Sequence, residues 1–411
     1  MIIVARIFFY LFIGFLPFQI DSLVVSSEVY FSGFFNPYLS HFVYVSDVFL
    51  LFSLLFFAFS LLFKEFSIEW KFDLKNRLNF ALLIFVLTYF VSIFFSTDKL
   101  NSLFYGFRML EFLIVYFLVL NKFVDKKKIL IVFSTVMGLV AFVGILQYFF
   151  QESLGLRFFG EPIISSKELG VAKVDLSSDK VLRSYGTFPH PNIFAAYLLM
   201  AIFSLIYLWK AMRSKRHLFG ILILVCFLAL ILTFSRVALF GFIVSCIYLV
   251  SSLKLKIKMK YVVSFVLGIL FLLFSSGISK VFYERFLFND EAIHERVVYL
   301  QTSKKMFLEN PFGVGAGNFT MEMQNYDSEK LSPWEFQPVH NVFLLILNEI
   351  GVFGFTAFVF LVGSIFFAEK KRIFSALGIA FIVIALTDHF FISLYQGQAL
   401  FFLYLGLLSE G

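Results

Sequence analysis

Charge is what this sequence has least of. Asp, Glu, Lys and Arg make up 15% of its 411 residues, while 60% are hydrophobic. Soluble domains carry about a quarter charged residues. A soluble globule, a nucleic-acid-binding domain and a disordered chain are therefore excluded. Cysteine is nearly absent too. Cys226 and Cys246 both lie in apolar runs, too few for a metal cluster and poorly placed for a disulfide framework. There is no His-Glu-x-x-His, no Asp-x-Asp cluster and no Gly-Lys-Ser/Thr P-loop, so metal catalysis is disfavoured and no metal ligand is assigned. The first apolar run has Arg6 near its start but no small-x-small cleavage site behind it. It therefore does not read as a cleaved signal.

Apolar residues fill the rest, including 64 Phe, which read as filler on lipid-facing helices. A bilayer span needs about 20 apolar residues. The apolar runs fall at 2–20, 43–63, 78–95, 103–120, 129–150, 192–209, 218–234, 237–253, 261–278, 341–368, 373–387 and 398–409. The reading is an all-α polytopic membrane protein of about 12 transmembrane helices, a single integral membrane domain over 1–411.

Loop charge orients it. The short loops 64–77, 121–128, 210–217, 254–260 and 369–372 carry 19 Lys or Arg, against two in an equal length of short loop on the other side. Basic residues stay on the cytoplasmic side. Both termini are thus expected in the cytoplasm, in a multi-pass inner-membrane protein. Two longer segments, 151–191 and 279–340, fall outside. The second, between the ninth and tenth spans, is expected to be partly helical. At 291–308 it has apolar Ile293, Val297, Leu300 and Phe307 at three- and four-residue spacings.

The polar residues that do not report topology gather on the outer side. Arg183 and His190 lie just before the sixth span, where Asn192 can cap the helix and the helix start can attract anions. Ser235-Arg236 forms a tight outer turn, and an Arg at membrane depth usually faces a partner or a cavity. Arg296 lies in the long loop, before Gly313, Gly315 and Gly317, whose alternation suggests a tight turn with close backbone approach. His340-Asn341 begins the tenth span, with Gly351 and Gly354 beyond; an imidazole there can act as a base at neutral pH. Arg108 and Glu111, three apart in the fourth span, read as a structural ion pair. Asp47, Glu349 and Asp388-His389 lie near span ends and read as less central.

These strings resemble the bacterial O-antigen ligases and the polymerases of the same superfamily. The resemblance is carried by Arg183-x2-Gly186-Thr-Phe-x-His190-Pro-Asn192, Ser235-Arg236, Asn310-Pro-x-Gly313-x-Gly315-x-Gly317-Asn-Phe319 and His340-Asn341-x9-Gly351-x2-Gly354, in that order. It implies an undecaprenyl-diphosphate-linked glycan donor and a direct, inverting transfer without metal or other cofactor. The acceptor would be a lipid A-core sugar for a ligase, or a second lipid-linked glycan for a polymerase. The spacing after His340 leans towards ligase. His340, Arg236 and Arg183 are the expected catalytic residues. Arg296, His190, Asn192, Asn341 and Ser235 would contact substrate. A lipid-linked glycan transporter is a weaker alternative, since no repeat relates the two halves, and a scaffold would leave the outer motifs unexplained.

Overall fold

The computed structural model describes residues 1–25, 30–31, 34–65, 73–168, 170–176, 179–252, 291–327, 331–332, 335–367 and 372–409. The protein is predominantly helical. Its first half holds α1 (Ile2–Phe15), α2 (Val45–Leu62), α3 (Arg77–Ser92), α4 (Lys99–Leu120), α5 (Lys126–Phe150), α6 (Pro191–Ala211), α7 (Arg216–Leu232) and α8 (Arg236–Ser252). Then come α9 (Glu291–Glu309), α10 (Phe319–Glu322), α11 (Gln324–Asp327), α12 (Val342–Glu349), α13 (Gly351–Phe366), α14 (Arg372–Ala385), α15 (Phe390–Ser393) and α16 (Tyr395–Ser409). Six of these, α2 to α7, are long and apolar enough to cross a membrane, α3 and α7 with short 3-10 extensions, and α1, α8, α13 and α14 are shorter apolar helices.

Several helices begin where the sequence supplies a cap. Asn76, Asp98 and Asp125 each accept a hydrogen bond from a first-turn N–H of α3, α4 and α5, satisfying donors that lack an intrahelical partner. A helix that is apolar all round is buried. In α6 every residue from Ile193 to Leu205 is buried, and in α16 every residue from Tyr395 to Leu408. These two helices form the interior. α6 packs on α5, α7 and α14, and α16 packs on α4.

Among the described residues, three small ribbons interrupt the helical reading. β1 (Asp21–Val25) pairs antiparallel with β4 (His41–Tyr44), β2 (Tyr30–Phe31) with β3 (Phe34–Phe35), and β5 (Lys173–Leu176) with β6 (Asp179–Leu182). Two apolar runs change. The run 2–20 is helical only to Phe15, because Pro17 cannot continue the backbone ladder. The run 341–368 is two helices, α12 and α13, broken at Ile350–Gly351. The helix expected at 291–308 is present as α9. The ninth run, 261–278, the inner loop 254–260 and residues 279–290 of the large loop lie outside the described residues.

Candidate active site

Hydrogen bonds tie together the ends of α1, α6, α7, α12, α14 and α16. Pro191 opens α6, where its missing N–H costs nothing. His190 caps that helix, its Nδ1 accepting from Asn192 N at 3.1 Å. A neutral imidazole that accepts at Nδ1 carries its proton on Nε2. Asn341 caps α12 by accepting from Leu344 N at 3.0 Å, and its Nδ2 donates to the Leu386 carbonyl oxygen just past α14 at 2.9 Å. At the other end of the cluster, Gln396 at the start of α16 donates to Gln19, beyond α1, at 2.8 Å.

Asp388 is the hub. Its Oδ2 accepts from Asn192 Nδ2 at 2.9 Å, its Oδ1 from the His389 backbone N–H at 2.8 Å, and Oδ1 lies 4.0 Å from His340 Nδ1. That imidazole nitrogen is buried and has no hydrogen-bond partner among the described residues. The His389 ring lies 5.0 Å from that of His340, centre to centre, and its Nδ1 is 2.6 Å from Ser393 Oγ. Behind Asn192 stands Arg183, 7% exposed. It donates from Nε to the Thr233 carbonyl oxygen at 2.6 Å and from Nη2 to Asn192 Oδ1 at 2.9 Å. The chain of contacts therefore runs from Arg183 through Asn192 and Asp388 to His340.

These groups border a cavity of about 780 Å³ whose wall includes Tyr38, His190, His340, Asp388, His389 and Arg108. Burial holds His340 below the ordinary imidazole range; the Asp388 charge opposes that and the Arg296 charge adds to it. His190 falls to about 3, by burial first and then by the Arg183 charge, and His389 falls to about 3, chiefly by burial. Burial pushes Asp388 up, but the imidazoles of His389, His340 and His190 and the Asn192 hydrogen bond outweigh it, so its carboxyl sits below the usual range. At neutral pH the site is an ionised carboxylate among neutral imidazoles. That combination suits proton abstraction. His340, Asp388 and His389 also bring ligand atoms within 4.8 Å of one another, a mixed nitrogen and oxygen set of the kind that holds a divalent transition metal.

The residues singled out in the sequence do not all meet here. His190 and His340 are in the cavity wall, with Asn192, Asn341 and Arg183 behind it. Ser235 is buried, and Arg236 opens α8 three residues past the Thr233 that Arg183 holds. Arg296 is exposed on α9 and reaches His190 and His340 through its charge. Asp388 and Arg108 are the residues whose place sequence reasoning missed. Asp388 lies 48 positions from His340 in sequence. The available signal was an acid beside a histidine at the end of an apolar run.

The glycines form a separate packing unit. Gly313, Gly315 and Gly317 have φ of +90°, +96° and +80°, and Gly351 has φ of +71°, the left-handed region that disfavours other residues. The turn they allow lies against the break between α12 and α13. Val314 N donates to the Asn348 carbonyl oxygen and Gly315 N to that of Glu349, each at 2.9 Å, and Val352 N donates to that of Pro311 at 3.1 Å. On its other side, Asn101 Nδ2 in α4 donates to Asn318 Oδ1 at 2.7 Å.

Residues 221–359, about a third of the chain, match the family described as O-Antigen ligase. The matched stretch contains Ser235, Arg236, Arg296, the motif glycines, His340 and Asn341, and it ends before Asp388. This match supports the O-antigen ligase and polymerase superfamily, hence an enzyme of that general type in a membrane. No curated protein matched the chain.

Proposed function

We propose that this protein, with its O-Antigen ligase segment at 221–359, transfers a glycan from undecaprenyl diphosphate to a hydroxyl of a lipid A-core sugar. The reaction takes place at the outer face of the cytoplasmic membrane, in a protein of about twelve spans with both termini inside. The observation that carries the reading is the approach of His340 to a buried, twice hydrogen-bonded Asp388 on the wall of a cavity of about 780 Å³. A sugar hydroxyl is a poor nucleophile until a base takes its proton. His340 is that base. Asp388 orients the imidazole and stabilises its protonated form as the proton arrives. Their 4.0 Å separation closes on substrate binding, as catalytic hydrogen bonds often tighten in the substrate complex.

The other product is a lipid-linked diphosphate. Arg236 receives it, because a guanidinium fork matches phosphate oxygens where a point charge does not. Arg183 holds Asn192 in place and lends its charge from behind, and Arg296 adds a third positive charge from α9. Transfer is direct and inverting at the anomeric carbon. Arg236→Lys is expected to cost roughly tenfold or more in turnover, since hydrogen bonds between charged groups are worth about 1.5–3 kcal/mol. Unchanged turnover would remove Arg236 from the diphosphate site.

The acidic limb of the rate profile tests the base. The reactive form of His340 is neutral, so the acidic limb of kcat/KM should lie below the ordinary imidazole range, because burial lowers that imidazole. The Asp388 charge raises it, so Asp388→Asn should lower the rate and move the acidic limb to still lower pH. A limb that stays in place would show that Asp388 is not coupled to the titrating group. Ligase and polymerase part in one assay, with purified protein and donor, lipid A-core supplied or withheld. Transfer only when it is supplied means ligase, the form to which the His340-Asn341-x9-Gly351-x2-Gly354 spacing points. A ladder without it means polymerase.

A further inference from the structure

α2 and α4 stand side by side at the active-site end without packing on each other. α2 packs on α1, and α4 packs on α3 and α16; between α2 and α4 there is almost no backbone contact among the described residues. A side-chain bridge joins them. Arg108 lies about two and a half turns into α4. Its Nη1 donates to Asp47 Oδ2 of α2 at 2.9 Å and to Glu111 Oε2 at 2.7 Å, and its Nη2 donates to the Phe42 carbonyl oxygen at 2.9 Å. The guanidinium also sits 4.8 Å from the centre of the Tyr395 ring.

One side of Arg108 faces the active-site cavity. On the other, a second cavity of about 350 Å³ lies between the two helices, with walls of Val48, Leu51 and Leu54 from α2 and Phe107 from α4. Val48, Leu51 and Phe107 are exposed on the outside of the bundle. Phe104 and Arg108 belong to both cavities, so these two side chains form the shared wall. The arrangement is a largely apolar slot open at the surface of the bundle, with Asp47, Arg108 and Glu111 among its lining residues. A charged group at membrane depth is costly and marks a cavity or a path.

We propose that the cleft between α2 and α4 is the lateral portal for the polyprenyl tail of the lipid-linked donor. Arg108 divides the tail in the cleft from the head in the main cavity. The proposal rests on the glycosyl-transfer reading above. A donor whose tail stays in the bilayer brings its diphosphate to that cavity from the side, through a gap between two helices. α2 and α4 are a pair held by side chains rather than by backbone packing. The slot is at the small end of ligand pockets, about 300–1,000 Å³, which suits one hydrocarbon chain better than the several chains of a glycerolipid. Lipid tails are as apolar as the slot, so it supplies access and not affinity, and a block in it acts sterically.

The test compares two donors on full-length protein in liposomes: undecaprenyl-diphosphate glycan, and the same glycan on a short water-soluble tail that can enter from the aqueous mouth. In Val48→Trp and Leu51→Trp the ratio of kcat/KM, long tail over short, is expected to fall by about tenfold or more, the scale at which pocket sterics discriminate. Leu224→Trp, at an exposed site on α7, should leave the ratio where it was. If both donors are used and the ratio does not move in the α2 variants, or moves equally in Leu224→Trp, the portal is overturned while the transfer reading stands. If the wild-type protein uses neither donor, the transfer reading fails and the portal fails with it.

Discussion

His340→Ala will lower glycan transfer by roughly 10²- to 10⁴-fold, the usual contribution of a positioned general base. The loss should appear in kcat. If His340 instead orients the diphosphate, KM rises and kcat changes less, so steady-state kinetics with varied donor separate the two roles. The variant should still fold. His340 Nδ1 has no hydrogen-bond partner to lose among the described residues, and Asp388 keeps its bonds from Asn192 and the His389 N–H. A melting temperature near that of the wild type is the control. Full transfer by His340→Ala in reconstituted membranes would sink the assignment.

The sequence places Asp388 at the end of an apolar run but does not reveal its partners. Periodicity and loop charge place helices in a bilayer because both are local and repeat along the chain. They placed the ends of α4 to α8 to within a few residues, and the spacing at 291–308 was enough to find α9. Side-chain neighbours across helix ends have no such local signature. Asp388 lies beyond the end of α14, and Asn192, which fixes one of its oxygens, begins α6. Only the packing of α14 beside α6 makes them partners. Arg108 has the same history in reverse. The spacing of Arg108 and Glu111 reveals an ion pair, and the structure holds it. But Asp47, the second carboxylate, comes from α2, and the cavities on either side of the guanidinium follow from the fold alone. The ribbons were also illegible, because the paired stretches are only two to five residues long, too short for a period-two pattern to register.

The motif glycines can be sorted the same way, and they give the second large effect. Gly351→Val should deplete folded protein, while Gly354→Ala should cost less. At Gly351, φ is +71° and an added Cβ would run into the carbonyl carbon and oxygen of Phe312. Those are backbone atoms, and a rotamer change cannot move them. A non-glycine residue in a sparsely populated backbone region costs about 1–3 kcal/mol, and overpacking costs typically 1–3 more, against a total stability of about 5–15. At Gly354 the backbone is ordinary helix, but an added Cβ would meet Ile350 Cγ2 at 2.5 Å and Ile350 Cβ at 2.6 Å; a rotamer change relieves the first and not the second, so the helix must give slightly. Detergent-solubilised yield and thermal melting would separate the two variants. If Gly351→Val matched the wild type in both, the contact between the glycine turn and the α12–α13 break would not be holding the fold. The consequence reaches the active site through α12 itself. Its far end is capped by Asn341, next to His340, so the turn that fixes the break also fixes where the candidate base points.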